Sequence, residues 1–124
     1  MSIRPGTNGE ILAYKFLESA GWNILKRNFK ANGGEIDIVA DDPSGSERYL
    51  VFVEVKTRKA GSISSPIEAV DIRKQQRIIG CAYAYLAKLG GEEPACRFDV
   101  IEVIEHPDGL STIRHLKAAF GAAE

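Results

Sequence analysis

Cysteine is scarce in this chain: two thiols, Cys81 and Cys96, stand among 124 residues, and neither sits in a CxxC or Cys/His spacing. That excludes a disulfide scaffold and leaves buried thiols as the natural reading. No apolar run approaches the roughly 20 residues that span a bilayer. The start, Met1-Ser2-Ile3-Arg4-Pro5-Gly6, lacks the stretch of about 7–15 apolar residues of a secretory signal. A cytoplasmic protein with no membrane role is expected, and a reducing compartment suits free thiols. There is no internal repeat, low-complexity tract or dividing linker, so residues 1–124 read as one domain. A Gly-Lys-Ser/Thr phosphate loop and any Ser/His/Asp or Cys/His constellation are likewise missing. His106 and His115 have no metal-like spacing and read as surface residues.

An excess of positive charge is also lacking, since the net charge is −1. The distribution says more than the sum. Six acidic residues and one basic lie between Glu35 and Glu54, and six basic and two acidic between Lys56 and Arg77. Lys26, Arg27 and Lys30 add a second positive cluster. An acidic centre between basic stretches suits a site that holds cations and grips phosphate; ordinary solvated surface charge is the alternative.

Hydrophobic spacing supplies the elements. A helix is expected from Thr7, with Glu10 at capping-box distance, through Leu12, Ala13, Phe16, Leu17 and Ala20 to a stop at Gly21. Strands follow at Trp22–Lys30, Glu35–Ala40 (Ile36 and Ile38 on one face) and Tyr49–Thr57 (Val51, Val53 and Val55 on one face). Asn32-Gly33-Gly34 and Asp42-Pro43-Ser44-Gly45-Ser46 are turns. Ser65-Pro66-Ile67-Glu68 reads as an N-cap, a proline at N1 and a capping-box glutamate. The helical region then runs to about Leu89, with a break near Asp71. Strands Arg97–Ile104 and Ser111–Leu116 close the chain. The order α-β-β-β-α-β, with that last strand added, defines an α+β (α/β) domain with a mixed sheet and flanking helices.

The chemistry concentrates in one hairpin. Strand alternation puts Glu54 and Lys56 on the same face. If residues 35–40 and 49–57 pair about a loop centred near 45–46, Asp37 falls opposite position 54. Two neighbouring carboxylates repel unless a cation lies between them. Mg²⁺ typically takes one or two protein carboxylates with water and phosphate, and a nearby lysine can stabilise developing negative charge. The bland alternative pairs Asp37 with Lys56 on an exposed strand.

Two helix residues are ambiguous in the same way. Positions 72, 75, 79, 82, 86 and 89 form one helical stripe, in which Gln75 interrupts an apolar face. It is either a boundary residue or one that reaches a site. Glu10 extends the stripe of Ala13, Leu17 and Ala20 and serves either as a cap or as a further acid. Asp99 either pairs with an arginine or caps a backbone turn.

Taken together, Gly34-Glu35-Ile36-Asp37-Ile38-Val39-Ala40 and Val51-Phe52-Val53-Glu54-Val55-Lys56-Thr57-Arg58 resemble the YraN family. This bacterial family of uncharacterised proteins is similar to Holliday-junction resolvases. Gly9-Glu10, Arg27-Asn28, Lys74-Gln75 and Arg97-Phe98-Asp99-Val100 extend the resemblance over nearly the whole chain. It implies a restriction-endonuclease-like PD-(D/E)xK fold. Asp37, Glu54 and Lys56 would then form the catalytic core, Glu10 the helix-borne acid and Gln75 the helix-borne glutamine. Ile36 stands where other branches of the fold carry proline. The implied activity is hydrolysis of DNA phosphodiester bonds, of branched or structured DNA, with Mg²⁺ or Mn²⁺. Asp37, Glu54, the Val55 carbonyl and Glu10 would be the metal ligands. Lys26, Arg27, Arg58, Lys59, Arg73 and Lys74 are candidate phosphate contacts. A homodimer would match a two-fold junction. The alternatives are a non-catalytic DNA- or protein-binding module on the same fold, and a structural domain with no nucleic-acid role.

Overall fold

The structure, a computed structural model, describes residues 5–62 and 70–121. Helix α1 (Pro5–Ser19) is followed by strands β1 (Asn23–Ala31), β2 (Gly34–Asp42) and β3 (Tyr49–Lys59). Helix α2 (Ile72–Leu89) precedes β4 (Cys96–Glu105) and β5 (Ser111–Phe120). The five strands form one sheet in the order β1-β2-β3-β4-β5, with β3 and β4 parallel and the other pairs antiparallel. α1 packs on β1, β3 and β4, while α2 packs on β1 and β2 from the opposite face. This is the α+β arrangement of a restriction-endonuclease-like core. No helix among the described residues is long and apolar enough to cross a membrane.

The boundaries of α1, α2 and β5 need correction. Helix α1 begins at Pro5, so Thr7 lies inside it rather than capping it; proline's fixed φ suits the first helical position. Ser65 to Glu68 fall outside the described residues, but Asp71 does cap α2, its Oδ1 accepting the Lys74 N–H at 2.9 Å. The break expected near Asp71 is thus the start of the helix. Strand β5 runs on to Phe120 because a bulge at Ala118 (φ 52°) realigns the chain. Phe120 then stacks on Phe98 with centroids 5.1 Å apart.

The α2 stripe is rotated from the expected one. Ile78, Cys81 and Ala82 are its buried residues, whereas Ile72 is 68% and Leu89 53% exposed. On a helix of 3.6 residues per turn the face of Ile78, Cys81 and Tyr85 continues to position 74, not 75. Lys74 therefore takes the place over the sheet that the sequence pattern suggested for Gln75.

The far end of the sheet is held by a buried polar network. Asp99 accepts from Arg97 (Nε, 2.9 Å), the Ala118 N–H (3.0 Å) and His115 Nε2 (2.7 Å). It thus both pairs with an arginine and closes a backbone bulge. Arg97 also donates to Asp42 at 2.9 Å and lies over the rings of Trp22 and Tyr49. His115 is not a surface residue: its side chain is 11% exposed, against Phe16 and Trp22.

Two glycines permit the helices to approach. A Cβ on Gly9 would collide with Thr57 Oγ1 on β3, and one on Gly34 would lie 2.6 Å from the Arg77 carbonyl oxygen of α2. The threonine side chain can yield, but the helix backbone cannot. Gly34→Ala should therefore cost about 1–3 kcal/mol, read as a lowered urea midpoint; an unchanged midpoint would refute this close contact.

Candidate active site

The β2–β3 register pairs Ile38 with Val53 and Ala40 with Val51. One step beyond the last regular pair lie Asp37 and Glu54, the two residues that the turn spacing sets opposite each other. The ladder does not continue regularly there. The Val55 N–H donates instead to the Asp37 carboxylate, Oδ2, at 2.7 Å. On the other side of β2, Asn28 of β1 is in the left-handed region (φ 55°), and the pairing steps from Arg27–Ile38 to Phe29–Ile36 across it.

Alternation breaks at the same point. Ile36 packs in the α2-side core and Ile38 in the α1-side core, contrary to the expectation that they share a face. The switch coincides with the left-handed Asn28 on β1 and with the end of the regular β2–β3 pairing at Ile38–Val53. Val51, Val53 and Val55 do share a face, on the α1 side.

The break opens a passage between β2 and β3 that both helices reach. A cavity of about 420 Å³ is lined there by Glu10 of α1, by Glu35 and Asp37 of β2, by Glu54 and Val55 of β3, and by Lys74, Arg77 and Ile78 of α2. An adjoining recess is lined by Glu10, Val55, Lys56, Thr57, Arg58, Lys59 and Glu105. Because the N–H and C=O of one strand residue leave the backbone on the same edge, the Val55 carbonyl also faces the β2 side.

Glu54 is buried, and both flanking lysines converge on its Oε1: Lys74 Nζ at 2.9 Å and Lys56 Nζ at 3.3 Å. Burial, and then the charge of Glu54, push the Asp37 carboxyl from 3.8 up to about 8, against the opposing hydrogen bond from Val55. Glu10 is also raised, by burial and the charges of Glu35 and Glu54. Burial, with the neighbouring Lys74, lowers Lys56. Against burial, which lowers it, Lys74 moves up through its ion pair with Glu54.

Glu10, Asp37, Glu54, Lys56, Val55 and Lys74 are therefore brought together. Gln75 is not: its Nε2 donates to the Val70 carbonyl at 2.9 Å, and it does not line the cavity. Arg58 is engaged by Glu102 (Nε–Oε2 2.7 Å) and Ser62. Among the described residues the other buried oxygen of Glu102 has no partner. Arg27 lies 4.3 Å over the Tyr14 ring and draws Glu10 downward by its charge. Lys59 lines the recess, while Lys26 and Arg73 are exposed and line neither opening. Glu35 and Arg77 were missed; Glu35 sits two residues before Asp37, and Arg77 one helical turn beyond Lys74.

Whether a divalent cation fits can be judged from the donors. Among the described residues no three His, Cys, Asp or Glu groups close into a metal cage. Mg²⁺ does not require one, since it keeps water and phosphate as ligands. Adjacent acids whose ionisation is suppressed by burial and by each other are the chemistry a hard cation relieves. Asp37, Glu54 and the Val55 carbonyl fit such an ion.

The fold and this cluster define a class: a compact α+β domain of restriction-endonuclease-like architecture with paired acids and lysines at a break in its sheet. The chain belongs to the uncharacterised protein family UPF0102, whose profile matches residues 9–103. The match bears out the resemblance seen in the motifs. It is 47% identical to a UPF0102 protein of Symbiobacterium thermophilum over 122 residues, covering 98% of this chain and 100% of the relative. A UPF0102 protein of Chlorobium phaeobacteroides is 46% identical over 94% of this chain and 92% of its own length. One of Pelobacter propionicus is 43% identical over 95% and 83%.

The raised Asp37 carboxyl has a consequence for stability. Between 3.8 and about 8 the folded protein holds a proton that the unfolded chain releases, so this group's contribution declines as pH rises through that window. Asp37→Asn keeps an acceptor for the Val55 N–H and removes the titration. Its melting temperature should exceed that of the wild type by a few degrees above pH 8, with the gain vanishing towards pH 4. A gain independent of pH would contradict this origin.

Proposed function

We propose that this protein is a Mg²⁺- or Mn²⁺-dependent nuclease that hydrolyses phosphodiester bonds of DNA, with branched or structured DNA as the substrate class to test first. The observation that carries the reading is the juxtaposition of Asp37 and Glu54 at one cavity, with Lys56 and Lys74 on the Glu54 carboxylate. Asp37, Glu54 and the Val55 carbonyl would hold the cation, and Glu10 would complete the acidic side. When bound, the cation would supply Lewis-acid activation of the phosphate and acidification of a water.

The remaining roles belong to the chain itself. Asp37 is held by the Val55 N–H, which fixes its carboxylate between the strands. Lys56, half-buried and lowered from its ordinary value, is suited to orient the attacking water and to stabilise negative charge as it develops. Lys74, Arg77 and Lys59 surround the two openings and are placed to meet phosphate oxygens, contacts that position a nucleic acid without reading its sequence. Arg58 is bound to Glu102, so its contribution is chiefly to hold β3 against β4. Gln75 serves to anchor the first turn of α2, which carries Lys74.

The test is cleavage of labelled branched, flapped, single-stranded and duplex DNA with Mg²⁺ or Mn²⁺. Glu54→Ala should abolish cutting, and Lys56→Ala should slow it by about 10²-fold or more while DNA binding persists. Wild-type rates in Lys56→Ala would sink the catalytic assignment. DNA binding by the wild type with no cutting on any substrate would favour a non-catalytic binding module.

A further inference from the structure

The Lys74 ammonium lies 2.9 Å from Glu54 Oε1, closer than Lys56 at 3.3 Å on the same oxygen. Glu54 is the most enclosed of the cavity's acids, with 7% of its side chain exposed. An ammonium at that distance neutralises the carboxylate that a divalent cation would use. Resting on the nuclease reading, we propose that Lys74 is the resident counter-ion of the site: its ammonium and the divalent cation occupy Glu54 in turn, and Lys74 must leave for the cation to bind.

Several features make Lys74 the residue that moves. Its backbone is fixed, because its N–H is held by the Asp71 cap and the next residue, Gln75, is tied to Val70. Only the flexible side chain needs to swing. That side chain is 37% exposed, against 24% for Lys56, so water or a phosphate can receive the released ammonium at little cost. Lys56 is carried on the same strand as Glu54 and stays beside it whatever its partner. Two ammonium groups and a divalent ion around one carboxylate would repel strongly in a half-buried site. The departure of one is the simplest relief.

Such an arrangement weakens cation affinity by the fraction of molecules in which Glu54 is free. It also keeps a buried acid paired when no cation is present. Removing the competitor should therefore strengthen metal binding, an effect opposite to that of removing a structural or catalytic group.

The experiment is titration of the full chain with Mn²⁺ alone, followed by calorimetry and by loss of the free-ion electron paramagnetic resonance signal. The wild type would be compared with Lys74→Gln, Lys74→Arg and Glu54→Gln. Lys74→Gln should bind Mn²⁺ about tenfold more tightly, Lys74→Arg about as the wild type does, and Glu54→Gln far more weakly. Wild-type binding that is lost in Glu54→Gln but equal or weaker in Lys74→Gln would leave the metal site standing and overturn the counter-ion role. No saturable binding by the wild type or either Lys74 variant would overturn both.

Discussion

A single hydrogen bond organises the centre of this molecule: the Val55 N–H is accepted by the Asp37 side chain instead of by strand backbone. A strand pair closes by backbone bonds as far as its register continues. When a carboxylate takes one of those donors, the two strands must part. The parting is supported on the other side of β2 by Asn28, whose left-handed backbone lets β1 follow the turn. Because β2 turns over at this point, Ile36 and Ile38 feed opposite cores, and the sheet no longer separates its two faces. Glu10 from one helix and Lys74 from the other can then line one cavity.

The electrostatic state of the cavity follows from that geometry. Burial and mutual repulsion oppose ionisation of Asp37 and Glu10, while Glu54 is matched by two lysines. An arrangement tuned only for stability would place a well-packed apolar residue here. The opposite end of the sheet shows what a satisfied polar core looks like in the same chain. There Asp99 receives bonds from Arg97, His115 and the Ala118 N–H, which hold its carboxyl below the usual range despite burial. Both ends are rich in charge, but only the Asp37 end leaves carboxyls better off protonated. Perturbed groups collected at a cavity mark a site with a task.

Much of this was legible in the residues. The turn between β2 and β3 has a fixed centre, so the opposition of Asp37 and Glu54 follows from counting, and strand alternation pairs Glu54 with Lys56. The order of elements was readable for the same reason, since each strand is bounded by turn chemistry. What escaped depends on geometry with no periodic signature. Nothing local to Ile36-Asp37-Ile38 announces that alternation will fail, because the irregularity is shared with Asn28 on another strand. The α2 stripe was misjudged because Ile72 and Leu89 are apolar yet exposed, which drew the pattern one residue towards Gln75. Counting from Cys81, Ala82 and Tyr85 instead would have placed Lys74 over the sheet. His115 looked superficial because its partners, Asp99, Phe16 and Trp22, are distant in sequence.

The packing residues and the chemical residues are interleaved along the chain, and this bears on how the site keeps its shape. Gly9 precedes Glu10, Gly34 precedes Glu35, and Val55 lies between Glu54 and Lys56. Each glycine removes a Cβ where a helix meets a strand, at Thr57 and at the Arg77 carbonyl. Without those approaches α1 would stand off from β3, and the β1–β2 turn would stand off from α2. That turn is also tied to α2 by Asn32 Nδ2, which donates to the Gly80 carbonyl at 3.3 Å. Glu10 and Glu35 are therefore held by close contacts one residue away, which leaves their side chains free of packing duty. A site built this way can exchange the partner of Glu54 without repacking the core, because the movable element is a lysine side chain and not a helix or strand.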